Sequence, residues 1–204
     1  DSAAATARQL ERFRGVLATL AAAGVEPGTV HAANSAGCLS DPATRFDLVR
    51  LGLSLYGIPP VAGLPYAPAL TPALAWTTEV EYLRDVPAGS PLSYGGTFVT
   101  QRPSRIAVLP VGYADGYRRS LGNRAEVLVR GRRAPVVGRV TMDMALVDVT
   151  DVAGAARGDE VVLLGDQGGQ TVSAHDLAGW LDTIPYEVLC CIGARVPRAY
   201  EEGP

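Results

Sequence analysis

The spacing of hydrophobic positions changes along the chain, and each change predicts a different kind of element. Leu10, Phe13, Leu17 and Leu20 recur at helical spacing among alanines, with Gly24 as a stop, so the first 25 residues predict one amphipathic helix. Val30-His31-Ala32-Ala33 reads as a short buried strand. The small polar run Asn34-Ser35-Ala36-Gly37 after it suits either hydroxyl and N–H groups presented to an anion or a turn that caps a helix. From Arg45 to Gly57 the sequence is mostly apolar, which sets Arg50 apart: between Val49 and Leu51 a buried strand has no room for an unpaired charge, so Arg50 requires a partner. Gly52 follows, where bare backbone lets a phosphate approach. Helix, strand and loop followed by strand, loop and glycine predict the last two units of a parallel α/β array. The plainer alternative is an ion-paired arginine beside a turn glycine.

Between Ile58 and Pro72 the composition shifts to Pro59, Pro60, Gly63, Pro65, Pro68 and Pro72, which neither continue a helix nor pair in a central strand, so a domain boundary is expected there. Beyond it the period drops to two. Trp76, Thr78, Val80 and Tyr82 share one parity, and short runs follow at 105–109, 125–129, 136–140, 145–149 and 160–164, punctuated by glycine, proline and aspartate as in an antiparallel barrel or sandwich. Ser173-Ala174-His175-Asp176 caps a helix running to about Leu181, with Leu177, Trp180 and Leu181 as its apolar side. His175 in its first turn reads as a surface residue.

Within this second pattern lies Leu92-Ser93-Tyr94-Gly95-Gly96-Thr97-Phe98, which puts a phenol beside two glycines where a strand should begin. Paired glycines weaken a strand and mark a bulge or a close approach of backbone to a ligand. Tyr94 is therefore a candidate general acid/base, the alternative being a tyrosine that packs at a hairpin end. Tyr113 and Asp115 in V-G-Y-A-D-G, Arg139, Met142 and Asp143 in G-R-V-T-M-D-M, and Tyr186 in T-I-P-Y-E-V occupy strand or loop contexts that packing alone does not explain. Each also admits a turn, strand-end or core reading.

Composition matters chiefly through its basic residues. The chain has 204 residues, 48% hydrophobic and 19% charged, which is ordinary globular material for one large domain or two small ones. A net charge of −3 without a basic block or interleaved aromatics argues against nucleic-acid and membrane-surface partners, and neither a signal peptide nor a spanning apolar run is read. Cys38, Cys190 and Cys191 fit neither a disulfide framework nor zinc-ligand spacing, which suits a reducing cytosol and buried thiols. With two histidines and no cysteine or carboxylate cluster near either, no metal site is expected. All 18 basic residues, however, are arginine. Chemistry that needs a lysine amine must take it from another polypeptide or another part of the protein.

Taken in order, H-A-A-N-S-A-G, V-R-L-G-L-S-L-Y-G, L-S-Y-G-G-T-F, P-V-G-Y-A-D-G, G-R-V-T-M-D-M and T-I-P-Y-E-V-L-C resemble the C-terminal half of bacterial alanine racemases, from near residue 1 to about Arg198. The resemblance implies an α/β plus all-β protein: the C-terminal portion of a (β/α)8 barrel over 1–60, then a mainly antiparallel β domain over 61–204. It implies a cytoplasmic, pyridoxal 5′-phosphate-dependent enzyme that interconverts L- and D-alanine to supply peptidoglycan, working as a head-to-tail homodimer whose active sites draw on both subunits. Residue by residue, Arg50 resembles the arginine that hydrogen-bonds the cofactor's pyridine nitrogen, and Tyr94 resembles the tyrosine base supplied by the partner subunit. Ser35, Gly52, Leu53 and Tyr186 match positions that hold the phosphate. Tyr113 matches an active-site entrance position, while Met142 and Asp143 match positions that face the substrate carboxylate from the other subunit. The phosphate assignment agrees with the anion reading above, because barrel enzymes often bind phosphate in the loops after the last two strands.

The family's catalytic lysine lies in the first barrel strands, which are absent here together with about six of the eight barrel units. The chain is therefore expected to be a portion of a longer protein or a half paired with its complement, and inactive alone; its open strand edges would otherwise invite aggregation. Racemisation removes the Cα proton on one face and replaces it on the other, so two acid/base groups flank the substrate, Tyr94 on one side and the absent lysine on the other. A phenol titrates near ~10 unperturbed, so such a base needs positive charge nearby. Arg50, a poor proton donor, leaves the pyridine nitrogen unprotonated and limits side reactions. Two further functions stay open: a racemase for serine or a wider range of amino acids, and a non-catalytic dimerisation or binding remnant.

Overall fold

The computed structural model describes residues 3–61, 63–66 and 70–201, and the chain divides into two compact units at 73/74. Pro68 of the proline-rich boundary lies outside the described residues.

In the first unit, helix α1 (Ala3–Ala22) follows the predicted spacing. Leu10, Phe13, Leu17 and Leu20 are half-buried, and Phe13 meets Phe46 edge-on with ring centroids 5.2 Å apart. The helix closes at Gly24: the Val25 N–H reaches back to Leu20 O at 2.9 Å and the Gly24 N–H to Ala21 O at 3.0 Å, the paired bonds of a Schellman end. Strand β1 (His31–Asn34) leads into the short helix α2 (Ser35–Ser40), and β2 (Leu48–Arg50) pairs with β1 in parallel. The parallel pair is that of the predicted α/β array, with the short helix α2 between its strands, but the strands are not buried as expected. In β1 only Ala33 is enclosed, and Arg50 in β2 is exposed. A parallel pair is buried only where layers cover both faces, and within this unit both strands keep an open face.

The second unit is built by alternation, with departures from the predicted runs. β3 (Trp76–Glu79) and β4 (Tyr82–Val86) are two strands rather than one, because Val80 still pairs with the 158–159 loop while the Glu81 N–H already donates to Val108 O in another sheet. β5 (Pro91–Leu92) and β6 (Phe98–Val99) form a short hairpin on either side of the Tyr94 stretch. β7 (Ser104–Leu109), β8 (Glu126–Val129), β9 (Arg132–Pro135), β10 (Ala145–Asp148), β11 (Glu160–Gln167) and β12 (Gln170–Val172) follow. β7 lies between β4 and β10 in one antiparallel sheet; in the other, β11 pairs with β3, β8 and β12, and β9 flanks β8. The run 136–140 makes only an isolated bridge, Val136 to Val147. The strand forms earlier, because the tight turn at Arg130 and Gly131, with φ of +51° and +73°, sets Val129 opposite Arg132.

The core of this unit runs through β8 and β11, where Val127, Leu128, Val129 and Val161 to Leu164 are all buried, as befits strands covered on both faces. Tyr117 lies fully buried beside them, edge-on to Trp76 at 5.9 Å. Helix α3 (Ala174–Leu181) starts at the predicted cap: Ser173 Oγ accepts the Asp176 N–H at 3.1 Å, and Asp176 Oδ2 accepts the Ser173 N–H at 2.8 Å. Helix α4 (Pro185–Cys191) opens on a proline in its first turn. The thiols are less enclosed than expected, with Cys190 exposed and Cys38 and Cys191 half-buried. Cys191 Sγ sits 2.7 Å from Arg118 Nη2, a polar contact at the rim of the unit rather than a core one. No described helix is long and apolar enough to cross a membrane.

Candidate functional site

The functional candidates fall into one group in the first unit and two in the second. In the first unit, Asn34 Oδ1 accepts the Gly37 N–H at 2.9 Å, so the N-S-A-G stretch is a helix cap. The same stretch also reaches across to β2. Ser35 is 2% exposed, and its Oγ accepts the Gly52 N–H at 2.9 Å, tying the end of β1 to the loop after β2. A Cβ on Gly52 would meet nothing nearer than Ser35 Oγ at 4.0 Å, so the backbone there is open to an approaching group. The Ser35 hydroxyl proton and the N–H of Leu53, which begins the 3-10 turn Leu53–Tyr56, meet no acceptor among the described residues. Unsatisfied donors beside bare backbone are a set that an anion completes.

Arg50 has the partner its sequence context required, although it is exposed. Nη2 donates to Ala32 O at 3.1 Å, and Nη1 lies 2.6 Å from His31 Nδ1. A guanidinium has no lone pair to offer, so His31 accepts at Nδ1, and a neutral ring keeps its proton on Nε2. The sequence reading passed over His31. It stands 19 residues from Arg50, and only the parallel pairing of β1 with β2 brings the two side chains together.

In the second unit Tyr94 does not enter a strand. It begins the 3-10 turn Tyr94–Gly96 between β5 and β6 and is 73% exposed. The turn is held from both ends. Ser93 Oγ donates to Arg139 O at 2.7 Å, the Gly138 N–H donates to Asn123 Oδ1 at 2.6 Å, and Asn123 Nδ2 donates to Thr97 Oγ1 at 3.2 Å. Gly138 is required here: its φ is +73°, and a Cβ would stand 2.8 Å from Ser93 Cβ and 3.0 Å from Leu92 O. The Arg139 guanidinium lies against the turn, 3.3 Å from where a Cβ on Gly95 would be. The result is an exposed tyrosine on a clamped turn whose Gly95 backbone abuts a guanidinium.

Tyr113, Met142 and Asp143 are brought together by two abutting turns. The Tyr113 N–H donates to Thr141 O and the Ala114 N–H to Met142 O, each at 3.0 Å. Met142 and Asp143 form the exposed tip of their turn, and their own N–H groups meet no acceptor among the described residues. Arg195 joins the two turns: Nε donates to Asp115 Oδ1 and Nη2 to Asp143 Oδ1, both at 2.6 Å. Asp115 Oδ2 accepts the Gly112 N–H at 2.9 Å. Burial by itself pushes the Asp115 carboxyl up, but the hydrogen bonds from Arg195 and Gly112 and the Arg195 charge outweigh it and hold the group below the ordinary carboxylate range. Arg195 escaped the sequence reading because its partners lie 80 and 52 residues away. Tyr186 stands exposed in the first turn of α4, in the second unit, whereas Ser35, Gly52 and Leu53 belong to the first. Among the described residues no His, Cys, Asp and Glu group is placed to hold a metal.

A family model described as the alanine racemase C-terminal domain matches residues 73–200, and one described as the alanine racemase N-terminal domain matches residues 1–60. The chain belongs to the alanine racemase family. The alanine racemase of Symbiobacterium thermophilum is 53% identical over 195 residues, covering 96% of this chain and 52% of the relative. That of Halothermothrix orenii is 47% identical over 196 residues, with the same shares. The crystal structure of alanine racemase from Bacillus anthracis with bound L-Ala-P has a TM-score of 0.90 at 37% identity, covering 98% of this chain and 52% of that one. The alanine racemase from Bartonella henselae with covalently bound pyridoxal phosphate has a TM-score of 0.87 at 35% identity, covering 98% and 53%. The chain thus spans about half the length of the curated alanine racemases it matches. Its fold class is that of these neighbours, a barrel portion followed by a mainly antiparallel β domain.

Proposed function

We propose that this chain supplies the C-terminal part of an alanine racemase and interconverts L- and D-alanine only together with a lysine-bearing barrel half. The observation that carries the reading is the exposed Tyr94 side chain on a clamped turn against which the Arg139 guanidinium lies at Gly95. The residues of the first unit fit pyridoxal 5′-phosphate. The free donors of Ser35 and Leu53 and the open backbone at Gly52 suit its phosphate, and the guanidinium fork of Arg50 suits its ring nitrogen. When bound, the cofactor supplies an electron sink for the pair left at Cα as the proton departs.

Each residue then has a task. Arg50, steadied by His31 and Ala32, donates a hydrogen bond without giving up its proton, so the ring nitrogen remains an acceptor. Tyr94 takes or returns the Cα proton on one face. The lysine amine that serves the other face comes from outside these 204 residues, all of whose basic side chains are arginine. The free N–H groups of Met142 and Asp143 suit the substrate carboxylate, and Tyr113 borders the entrance. In a head-to-tail homodimer, Tyr94, Tyr113, Met142 and Asp143 serve the site of the partner subunit.

The test is proton exchange in the assembled enzyme carrying Tyr94→Phe. Net racemisation should fall in both directions, because every turnover uses both groups. Deuterium uptake into L-alanine should drop by ~10²- to 10⁴-fold, the usual cost of a lost general base, while uptake into D-alanine survives better. Equal loss from both enantiomers would assign Tyr94 to positioning instead.

A further inference from the structure

The turn that the proposed function sets against the substrate carboxylate carries a carboxylate of its own. Asp143 is exposed at the tip, next to the unpaired N–H groups of Met142 and Asp143. Left to itself, it would repel the anion those N–H groups are suited to receive, and at contact distance such repulsion is weakened but not abolished by water. Arg195 changes this. Its Nη2 takes Asp143 Oδ1 at 2.6 Å, while its Nε is bolted to Asp115 Oδ1 at 2.6 Å. Asp115 is a firm anchor: its side chain is only 13% exposed, its second oxygen accepts the Gly112 N–H, and its backbone carbonyl accepts the Gly193 N–H at 2.8 Å, two residues before Arg195. The guanidinium is thus held at Asp115 while it engages the Asp143 carboxylate, restraining a side chain that is otherwise 56% exposed. One cation between two carboxylates leaves the trio with a single negative charge, where the two carboxylates alone would carry two.

We propose that Arg195 is a positioning residue that retracts and partly neutralises Asp143, so that a substrate carboxylate reaches the N–H groups of the Met142-Asp143 turn. The inference rests on the placement of that turn at the substrate carboxylate. It differs from a structural strut in one respect: removing the second partner repairs the loss of the first, because the harm lies in the uncovered charge.

The assembled enzyme is measured as wild type, Arg195→Met, Arg195→Lys, Asp143→Asn and the Arg195→Met/Asp143→Asn pair. The readouts are the Kd for acetate as a bare carboxylate probe, KM and kcat for L-alanine, and Tm. Arg195→Met should weaken acetate binding and raise KM by about two- to fivefold, the size expected of one partly exposed charge contact, with kcat changed less. Arg195→Lys should stay near wild type, and the double variant should bind acetate better than Arg195→Met alone. If Arg195→Met does not fold, Arg195→Gln, which keeps a donor without the charge, takes its place in both variants. A double variant as weak as Arg195→Met overturns the charge role and leaves Arg195 a strut. Acetate binding and KM unchanged in every variant overturn the placement of the Met142-Asp143 turn, and this inference with it.

Discussion

Asp115 sits where ionisation alone is unfavourable, yet the Arg195 guanidinium and the Gly112 N–H keep its carboxyl charged below the ordinary range. A depressed folded-state value means that the stabilisation is fully present above the unfolded value of ~3.9 and is lost as pH falls through the folded one. Asp115→Asn should therefore lower Tm near neutral pH, at about 2–4 °C per kcal/mol for a protein of this size, and the gap to wild type should close in strong acid. Melts from pH 7 to pH 2 check this, and a gap independent of pH would contradict it. At this scale sequence reading named candidate side chains but not their partners. Arg50 announced its need for a partner by lying in an apolar run, yet neither His31 nor its own exposure was legible, since both depend on which strand lies alongside and what covers it. Arg195 gave no local signal, because its carboxylates are distant in sequence.

Elements whose causes are local were legible, and so were the runs that became β7, β8, β10 and β11; where pairing breaks or shifts a strand was not. The α1 stripe, its stop at Gly24 and the Ser173 to Asp176 capping box all depend on residues within a few positions of one another. The split between β3 and β4 at Val80, and the shift of the expected 136–140 strand to β9, are set by hydrogen bonds to remote segments and by one tight turn. The Tyr94 turn is of this second kind, because the residue that shapes it is Gly138, in a different stretch of chain. Gly138→Ala should destabilise by about 1–3 kcal/mol, since the residue must keep a positive φ while its Cβ presses on Ser93 and Leu92. Urea titration measures the loss; a cost below about 0.5 kcal/mol would mean that the turn is not clamped as described.

At the scale of the whole molecule, the ordered motifs gave the family, and the absence of lysine is what motivates the proposed dependence on another half. The open faces of β1 and β2 and the half-length span against the curated relatives agree with that dependence. The most direct test is alanine racemisation, followed by the optical rotation of L-alanine with pyridoxal 5′-phosphate present. This chain is assayed alone and after joining to a barrel half that carries the lysine. The account predicts no racemisation by the chain alone and racemisation by the joined protein. Sustained racemisation by the isolated 204 residues, or none from a joined and folded protein, would contradict it.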